Sequence, residues 1–309
     1  MKLAIISTKY GNGLKKDYKI IKDCLGPIYE ISYCNIESPF KLLHDEVRIF
    51  LEVIDERYLG KHNILIPNQE WFEEKWISLL PKFNLILTKS YYAKNIFAKL
   101  HGNVQYVGFT SLDLYQPAPK KFQFFHSQGK SRAKKTQLIL DSWLPEYPPL
   151  ICISRDYPPS KAQDNILHID KHVKSELYTK LLNESLIALC PSDSEGFGHY
   201  INEARACKSL VMTTDAPPMN EFRNSLLFKV DHVVEQAEML DKFWNISIDT
   251  FRQGMSRVLS LDTNVLLGIG AQNRKNFLDE KEQFVRKFVS LIKEYEIQMC
   301  GHNQRYLNR

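Results

Sequence analysis

The chain has 309 residues, 44% of them hydrophobic and 25% charged, with a formal net charge of +5. That length fits about two α/β units, each able to bury a core without staples, in a chain of ordinary globular composition. The charge is too small to argue for nucleic-acid binding; it suits a phosphorylated ligand or an anionic surface.

The N-terminal apolar run at 3–7 is too short for a secretory segment, meets Lys9, Lys15 and Lys16, and reads as a first β-strand. No apolar run approaches the roughly 20 residues of a membrane span, so the expected location is cytoplasmic. After this strand comes Tyr10-Gly11-Asn12-Gly13-Leu14. The third glycine of a dinucleotide fingerprint is replaced there by Lys16, so a plain turn competes with a ligand loop. A helix at 17–25 follows. Its Lys15, Lys16, Lys19 and Lys22 form either a solvated face or a weak contact for an anionic membrane surface.

Further strands are predicted at 29–33, 47–53, 63–66, 85–89 and 104–109, with helices at 70–80 and 91–100. Asn68, Gln69 and Glu70 fall between a strand end and a helix start, where ligand contact and simple helix capping are both open. The polar, proline-bearing segment at 115–121 reads as a domain linker. The alternation then restarts: strands at 122–127, 150–154, 166–169, 186–190, 210–213 and 226–230, and helices at 135–143, 174–183, 198–207, 219–224 and 232–240. A strongly amphipathic helix at 281–297 closes the pattern. Alternating strands and helices in two runs predict two Rossmann-like domains, with ligands in the cleft between them.

The most informative stretch is Pro191-Ser192-Asp193-Ser194-Glu195-Gly196-Phe197-Gly198-His199-Tyr200-Ile201-Asn202-Glu203-Ala204. A buried strand ends, a glycine turn follows and a helix begins, and the first amides of such a helix attract an anion. Gly196 and Gly198 allow close backbone approach. At about 1.5 Å rise per residue, Glu195 and Glu203 lie on the order of 10 Å apart. That span could let one carboxylate bind hydroxyls at each end of a sugar–diphosphate–ribose ligand. Singly, each glutamate would read as a dipole charge or a solvated helix residue. A second stretch, Gly129-Lys130-Ser131-Arg132-Ala133-Lys134-Lys135-Thr136, follows another strand. It is not a phosphate-binding P-loop, because Phe124 occupies the position of the required first glycine. His126 and His199 flank the two stretches. His199 is open to either a hydrogen bond with donor oxygens or a structural role, and His126 reads as structural.

The six cysteines are scattered, without a C-x-x-C pair, so neither a zinc site nor a disulfide framework is expected. No D-x-D pair or other close acidic or histidine set has metal spacing.

The run from Glu195 to Ala204 resembles the E-x7-E motif of retaining GT-B glycosyltransferases, and the match continues through residues 209–221. The resemblance implies an α/β GT-B fold with a shortened N-terminal domain. It divides the chain into an acceptor-side domain at 1–118, a nucleotide-sugar donor domain at 119–280, and a C-terminal helix at 281–309 that packs back on the first. It further implies sugar transfer with retention of configuration and without a metal or other cofactor. The donor would be a UDP-, GDP- or ADP-linked sugar and the acceptor an unspecified glycan, lipid or protein. Glu195 would face the sugar and Glu203 hold the ribose. The backbone of Gly196, Phe197, Gly198 and His199 would line sugar and phosphates. The stretch from Gly129 through Ser131 resembles the opening of the family's donor domain, and Lys130 and Lys134 would neutralise the departing diphosphate. Gly11 and Gly13 would reach toward the phosphates. Relatives often carry a histidine near the strand end at 66; none occurs here. A nucleotide-sugar epimerase of the same architecture and a non-catalytic binding module are the alternatives.

Overall fold

The computed structural model describes residues 1–8, 12–38, 47–161 and 163–307, apart from the side chains of residues 12 and 300–307. Its contacts divide the chain into two compact units. One holds Met1–Asn68, Phe72–Thr110 and Asp279–Arg309, and the other Gln69–Trp71 and Ser111–Leu278.

In the first unit the elements are β1 (Lys2–Ser7), α1 (Asn12–Leu25), β2 (Glu30–Asn35), β3 (Val47–Leu51), β4 (Asn63–Ile66), β5 (Leu85–Thr88), α2 (Tyr91–Phe97) and β6 (Val104–Tyr106). The strands form one parallel six-stranded sheet in the order β2-β1-β3-β4-β5-β6. β4 and β5 are buried at every position rather than alternately, as parallel strands covered on both faces must be. α1 packs through Leu14, Ile20, Ile21 and Leu25, a helical stripe, and leaves Lys15, Lys19 and Lys22 exposed.

In the second unit β7 (Lys121–Ser127), α3 (Thr136–Ser142), β8 (Leu150–Ile153), β9 (Ile166–Ile169), α4 (Ser175–Glu184), β10 (Ser185–Cys190), α5 (His199–Ala206), β11 (Leu210–Thr214) and β12 (Leu226–Phe228) build a second parallel six-stranded sheet. Its order is β12-β11-β10-β7-β8-β9. Its core gathers Phe124, Trp143, Leu189, Met212, Phe228 and Phe251. Residues 115–121 belong to this unit: the Gln116 amide donates to Asn183 Oδ1 at 2.9 Å and Lys120 Nζ to the Ser185 carbonyl at 2.7 Å. β13 (His232–Glu235) and β14 (Lys242–Asn245) pair as an antiparallel hairpin, followed by α6 (Ile248–Leu259) and α7 (Thr263–Leu307). The later part of α7 belongs to the first unit. There Phe284, Phe288, Ile292 and Tyr295 are buried along one face, with Phe284 against Phe109 at 5.0 Å.

Three predicted helices are corrected. The segment at 232–240 forms a hairpin strand and its turn: the Val233-Val234 pair favours extended backbone, and cross-strand pairing runs from His232↔Asn245 to Glu235↔Lys242. The helix expected at 70–80 is replaced by 3-10 turns at Gln69–Trp71 and Glu74–Lys82, the latter enclosing Pro81, which lacks a backbone donor. The one expected at 219–224 is a single 3-10 turn, Met219–Glu221, after two prolines. Among the described residues no helix is long and apolar enough to cross a membrane, and no group of three or more His, Cys, Asp or Glu could hold a metal ion.

Candidate functional site

In a doubly wound sheet, ligands gather at the carboxyl edge where the strand order reverses, because the flanking loops diverge there. In the second unit that point lies between β7 and β10. The two stretches singled out in the sequence are the loops leaving these strands, so sheet order brings them together across about 60 residues of chain.

The loop after β10 turns into α5 through Gly198, whose φ of 90° is left-handed. A Cβ there would sit 3.0 Å from Ile201 Cδ1 and 3.3 Å from Phe222 Cε2, so glycine answers both a backbone and a space requirement. The first intrahelical bond runs from the Asn202 amide to the Gly198 carbonyl at 3.1 Å. The amides of His199, Tyr200 and Ile201 therefore precede it, at the positive end of the helix dipole. Residues Tyr200 to Ala206 are all buried.

Glu195 Oε1 accepts from Ser192 Oγ at 2.6 Å, and Ser192 Oγ lies 2.5 Å from the Tyr200 hydroxyl. Burial pushes the Glu195 carboxyl above its usual range, against the pull of Lys134, the Ser192 bond and His199. Lys134 Nζ stands 3.8 Å from the centroid of the Tyr200 ring, a cation–π contact. It also comes within 3.6 Å of where a Gly129 Cβ would be, Gly129 having a φ of 62°. Gly129, Lys134, Glu195 and the start of α5 thus share one place.

The other residues of the basic turn behave differently. Ser131 caps the 3-10 turn Arg132–Lys134, its Oγ accepting from the Ala133 amide at 3.2 Å. Lys130 and Arg132 are exposed. Lys135, itself left-handed at φ 52°, pairs with Asp193 Oδ1 at 2.8 Å and donates to Asn245 Oδ1 at 2.5 Å. It ties the β10 loop to the hairpin, reinforced by the Trp244 amide donating to the Asp193 carbonyl at 2.9 Å.

Glu203 is wholly buried, not on the solvated face that an isolated helix glutamate would take. The Tyr178 side chain of α4 hydrogen-bonds it and titrates well above its usual range, chiefly through burial. His199 Nδ1 lies 2.8 Å from Ser111 Oγ, with its ring edge-on to Phe197 at 5.4 Å. Phe197 packs in turn on Phe222, and Gly196 is buried. His126 is structural: Nδ1 lies 2.9 Å from the Leu189 carbonyl and Nε2 2.8 Å from Thr136 Oγ1. Burial lowers its pKa to about 4, so the ring is neutral. In the first unit Gly11 lies outside the described residues. Gly13 is exposed on α1 with nothing near its would-be Cβ.

Sequence reasoning missed Asp241. This buried carboxylate accepts from Ser194 Oγ at 2.7 Å and from the Lys242 amide at 2.8 Å. Gln69 Nε2 donates to the Glu195 carbonyl at 2.6 Å and lies 3.4 Å from Asp241 Oδ2. Asp241 thus holds the Glu195 loop through Ser194 and Gln69. No signal marked it: it follows directly on the segment predicted helical at 232–240 and stands in no motif. Beside this buttress is a cavity of about 300 Å³ lined by Trp71, Arg132, Ala133, Ser194, Gln236 and Phe243 among others. It flanks Lys134 and Glu195 without including them.

Two Rossmann-like units, each with a six-stranded parallel sheet, define the GT-B architecture of glycosyltransferases. No family model matches the sequence, and no curated protein matches it. Among solved structures, the chain is similar to sucrose-phosphate synthase from Thermosynechococcus elongatus, with a TM-score of 0.73 at 10% identity, over 96% of this chain and 100% of that one. It is also similar to trehalose-6-phosphate synthase OtsA, with a TM-score of 0.67 at 9% identity over 95% and 99%. A third is the pneumococcal O-GlcNAc transferase GtfA in complex with UDP and GlcNAc, with a TM-score of 0.57 at 15% identity, over 80% of this chain and 56% of that one. At these identities the likeness is one of fold.

Proposed function

We propose that the chain is a glycosyltransferase that moves a sugar from a UDP-, GDP- or ADP-linked donor to a hydroxyl-bearing acceptor, with retention of configuration and without a metal or other cofactor. The observation that carries this reading is the meeting of Lys134, Glu195 and the amide end of α5 at the switch point of the second sheet. A cation and a positive helix end suit the diphosphate, where charge develops as the glycosidic bond breaks. Solved relatives in fold support the donor class. One of them, from E. coli, is bound with UDP-2-fluoro glucose.

On this reading Lys134 and the more exposed Lys130 neutralise the leaving diphosphate. The Gly129–Ser131 turn and the backbone of Gly196, Phe197, Gly198 and His199 line it. Glu195 accepts hydrogen bonds from the sugar hydroxyls. Glu203 holds the ribose, which shares or takes over the bond now made by Tyr178. The first unit serves the acceptor, and Gly11, with Gly13 in the first turn of α1, reaches toward the phosphates. The leaving phosphate takes the acceptor proton on the face it departs from, so no carboxylate pair of glycosidase geometry is required.

The test is thermal unfolding with UDP-, GDP- and ADP-glucose. A ligand at 100 times its dissociation constant adds about 2.7 kcal/mol, and one nucleotide should stand out. Glu203→Ala should lose nucleotide affinity, whereas Glu195→Ala should lose turnover more than affinity. If no nucleotide sugar raises the melting temperature, the reading fails.

A further inference from the structure

The first sheet has its own reversal of strand order, between β1 and β3, and its carboxyl edge carries a polar chain drawn from four separated segments. Glu52 follows β3 directly. Its φ is 67°, and the Val53 amide donates back to the Leu51 carbonyl at 2.8 Å, which makes Glu52 the apex of a three-residue turn. That turn is strained for any residue but glycine. Its carboxylate Oε2 accepts from Asn68 Nδ2 at 2.5 Å, beyond the end of β4. Asn68 Oδ1 accepts in turn from Lys89 Nζ at 2.8 Å, just past β5. Lys89 pairs with Asp17 of α1 at 2.5 Å, both side chains only 2% exposed.

This chain of bonds has a chemical direction. Asp17 neutralises Lys89 in the interior, and Asn68 uses both ends of its amide to relay from the lysine to Glu52. Among the described residues its net negative charge therefore rests on Glu52, which is partly buried. Burial raises the Glu52 carboxyl above its usual range, against the pull of Asn68 and Lys89, as desolvation of a carboxylate does. A non-glycine residue kept in a strained turn at a sheet's ligand edge is where function tends to store strain.

We infer that Glu52, oriented by Asn68 and Lys89, is the acceptor-reading residue of the first unit: its carboxylate accepts a hydrogen bond from a neutral acceptor hydroxyl and disfavours a phosphate at that position. The inference rests on the transferase reading above and adds to it the acceptor's chemistry. A hydroxyl supplies the donor that the carboxylate lacks, whereas a second anion beside it would be repelled in a partly desolvated place. Lys89, already paired, has little charge left to hold a phosphate.

The experiment uses the full chain and whichever nucleotide sugar the thermal panel selects, with nucleotide release as readout. Glucose, N-acetylglucosamine and a serine-rich peptide are compared with glucose 6-phosphate and fructose 6-phosphate as acceptors. The expected result is release supported by a neutral acceptor. Glu52→Gln should then raise acceptor KM at least about tenfold with donor affinity unchanged and no loss of melting temperature, since removing a carboxyl raised by burial does not destabilise at neutral pH. Glu52→Gly, which relieves the turn, should melt about 2–4 °C higher yet show the same KM defect. A residue that only builds the turn would instead lose stability in Glu52→Gln and leave acceptor KM alone. Wild-type KM in both variants, or release supported only by sugar phosphates, overturns the inference. So does release no faster with any acceptor than with water. If no nucleotide sugar binds at all, the failure belongs to the transferase reading instead.

Discussion

Gly198→Ala tests the geometry of the α5 entrance. Two costs can be read from the structure. An alanine at the observed φ of 90° sits in the left-handed region, which costs roughly 1–2 kcal/mol. Its Cβ would also lie 3.0 Å from Ile201 Cδ1 and 3.3 Å from Phe222 Cε2. Both neighbours are buried and have little room to yield, so overpacking adds about 1–2 kcal/mol. The sum, about 2–4 kcal/mol, should lower the melting temperature by about 5–12 °C for a unit of this size. Relaxation would be felt first at the amides of His199 to Ile201, so nucleotide affinity should fall about tenfold or more. Thermal unfolding with and without UDP and GDP reads both effects. Ile201→Val removes the offending Cδ1. The double variant should therefore be less destabilised than the sum of the singles, because the two sites share one contact. A Gly198→Ala variant that melts within about 1 °C of wild type and binds nucleotide equally well would refute the reasoning.

Four further variants separate binding, catalysis and stability. Lys134→Met should lower kcat by about 10²-fold with little change in melting temperature. Lys135→Met should do the reverse, costing about 1–3 kcal/mol by leaving Asp193 without its partner. Melting curves and single-turnover rates separate the two. The Glu195 carboxyl is raised, so the native state holds its proton more tightly than the unfolded chain. Stability from this group is present at low pH and falls as pH rises through the folded value. Glu195→Gln should accordingly melt higher than wild type at pH 7, the gap closing below the ordinary carboxylate value of 4.5. The acid limb of the wild-type rate profile should lie above that value. Gly254→Ala should cost about 1–3 kcal/mol with no effect on nucleotide affinity, since a Cβ on α6 would collide with the Phe228 ring far along the chain from the donor motifs.

The sheets were legible because parallel strands buried on both faces appear as unbroken apolar runs, and their periodicity survives any tertiary context. β4 and β9 fall where those runs predicted, and most other strands shift by a residue or two at an end. The failures came where periodicity was weak and local chemistry decided. The run at 232–240 has no strong apolar stripe, and its Val233-Val234 pair finds a partner only in β14, several residues on. Pro81 and the Pro217-Pro218 pair shortened two further helices into 3-10 turns.

The two ends of the proposed reaction differ in how far their residues lie apart in the chain. Glu195, Gly198 and Glu203 sit in one strand–turn–helix, so their types and spacing form a local pattern that a reader of the sequence can recognise. Even there the choice of Lys130 and Lys134 over Arg132 and Lys135 rested on the resemblance and not on the spacing of the turn. Their roles depend on Asp193, Asn245 and Tyr200, which come from other loops and assign Lys135 to the hairpin and Lys134 to the ring face. Asp17, Glu52, Asn68 and Lys89 belong to no local pattern. Only Asn68 stands out in the sequence, at a predicted strand end; the other three read as ordinary charged residues, and only the order of β1, β3, β4 and β5 brings the four into one chain of hydrogen bonds. A donor made of common chemical parts can be bound by a compact motif. If the acceptor is read by residues that only the sheet assembles, acceptor specificity will stay hidden in sequence, and the strained φ at Glu52 is the kind of mark that exposes it.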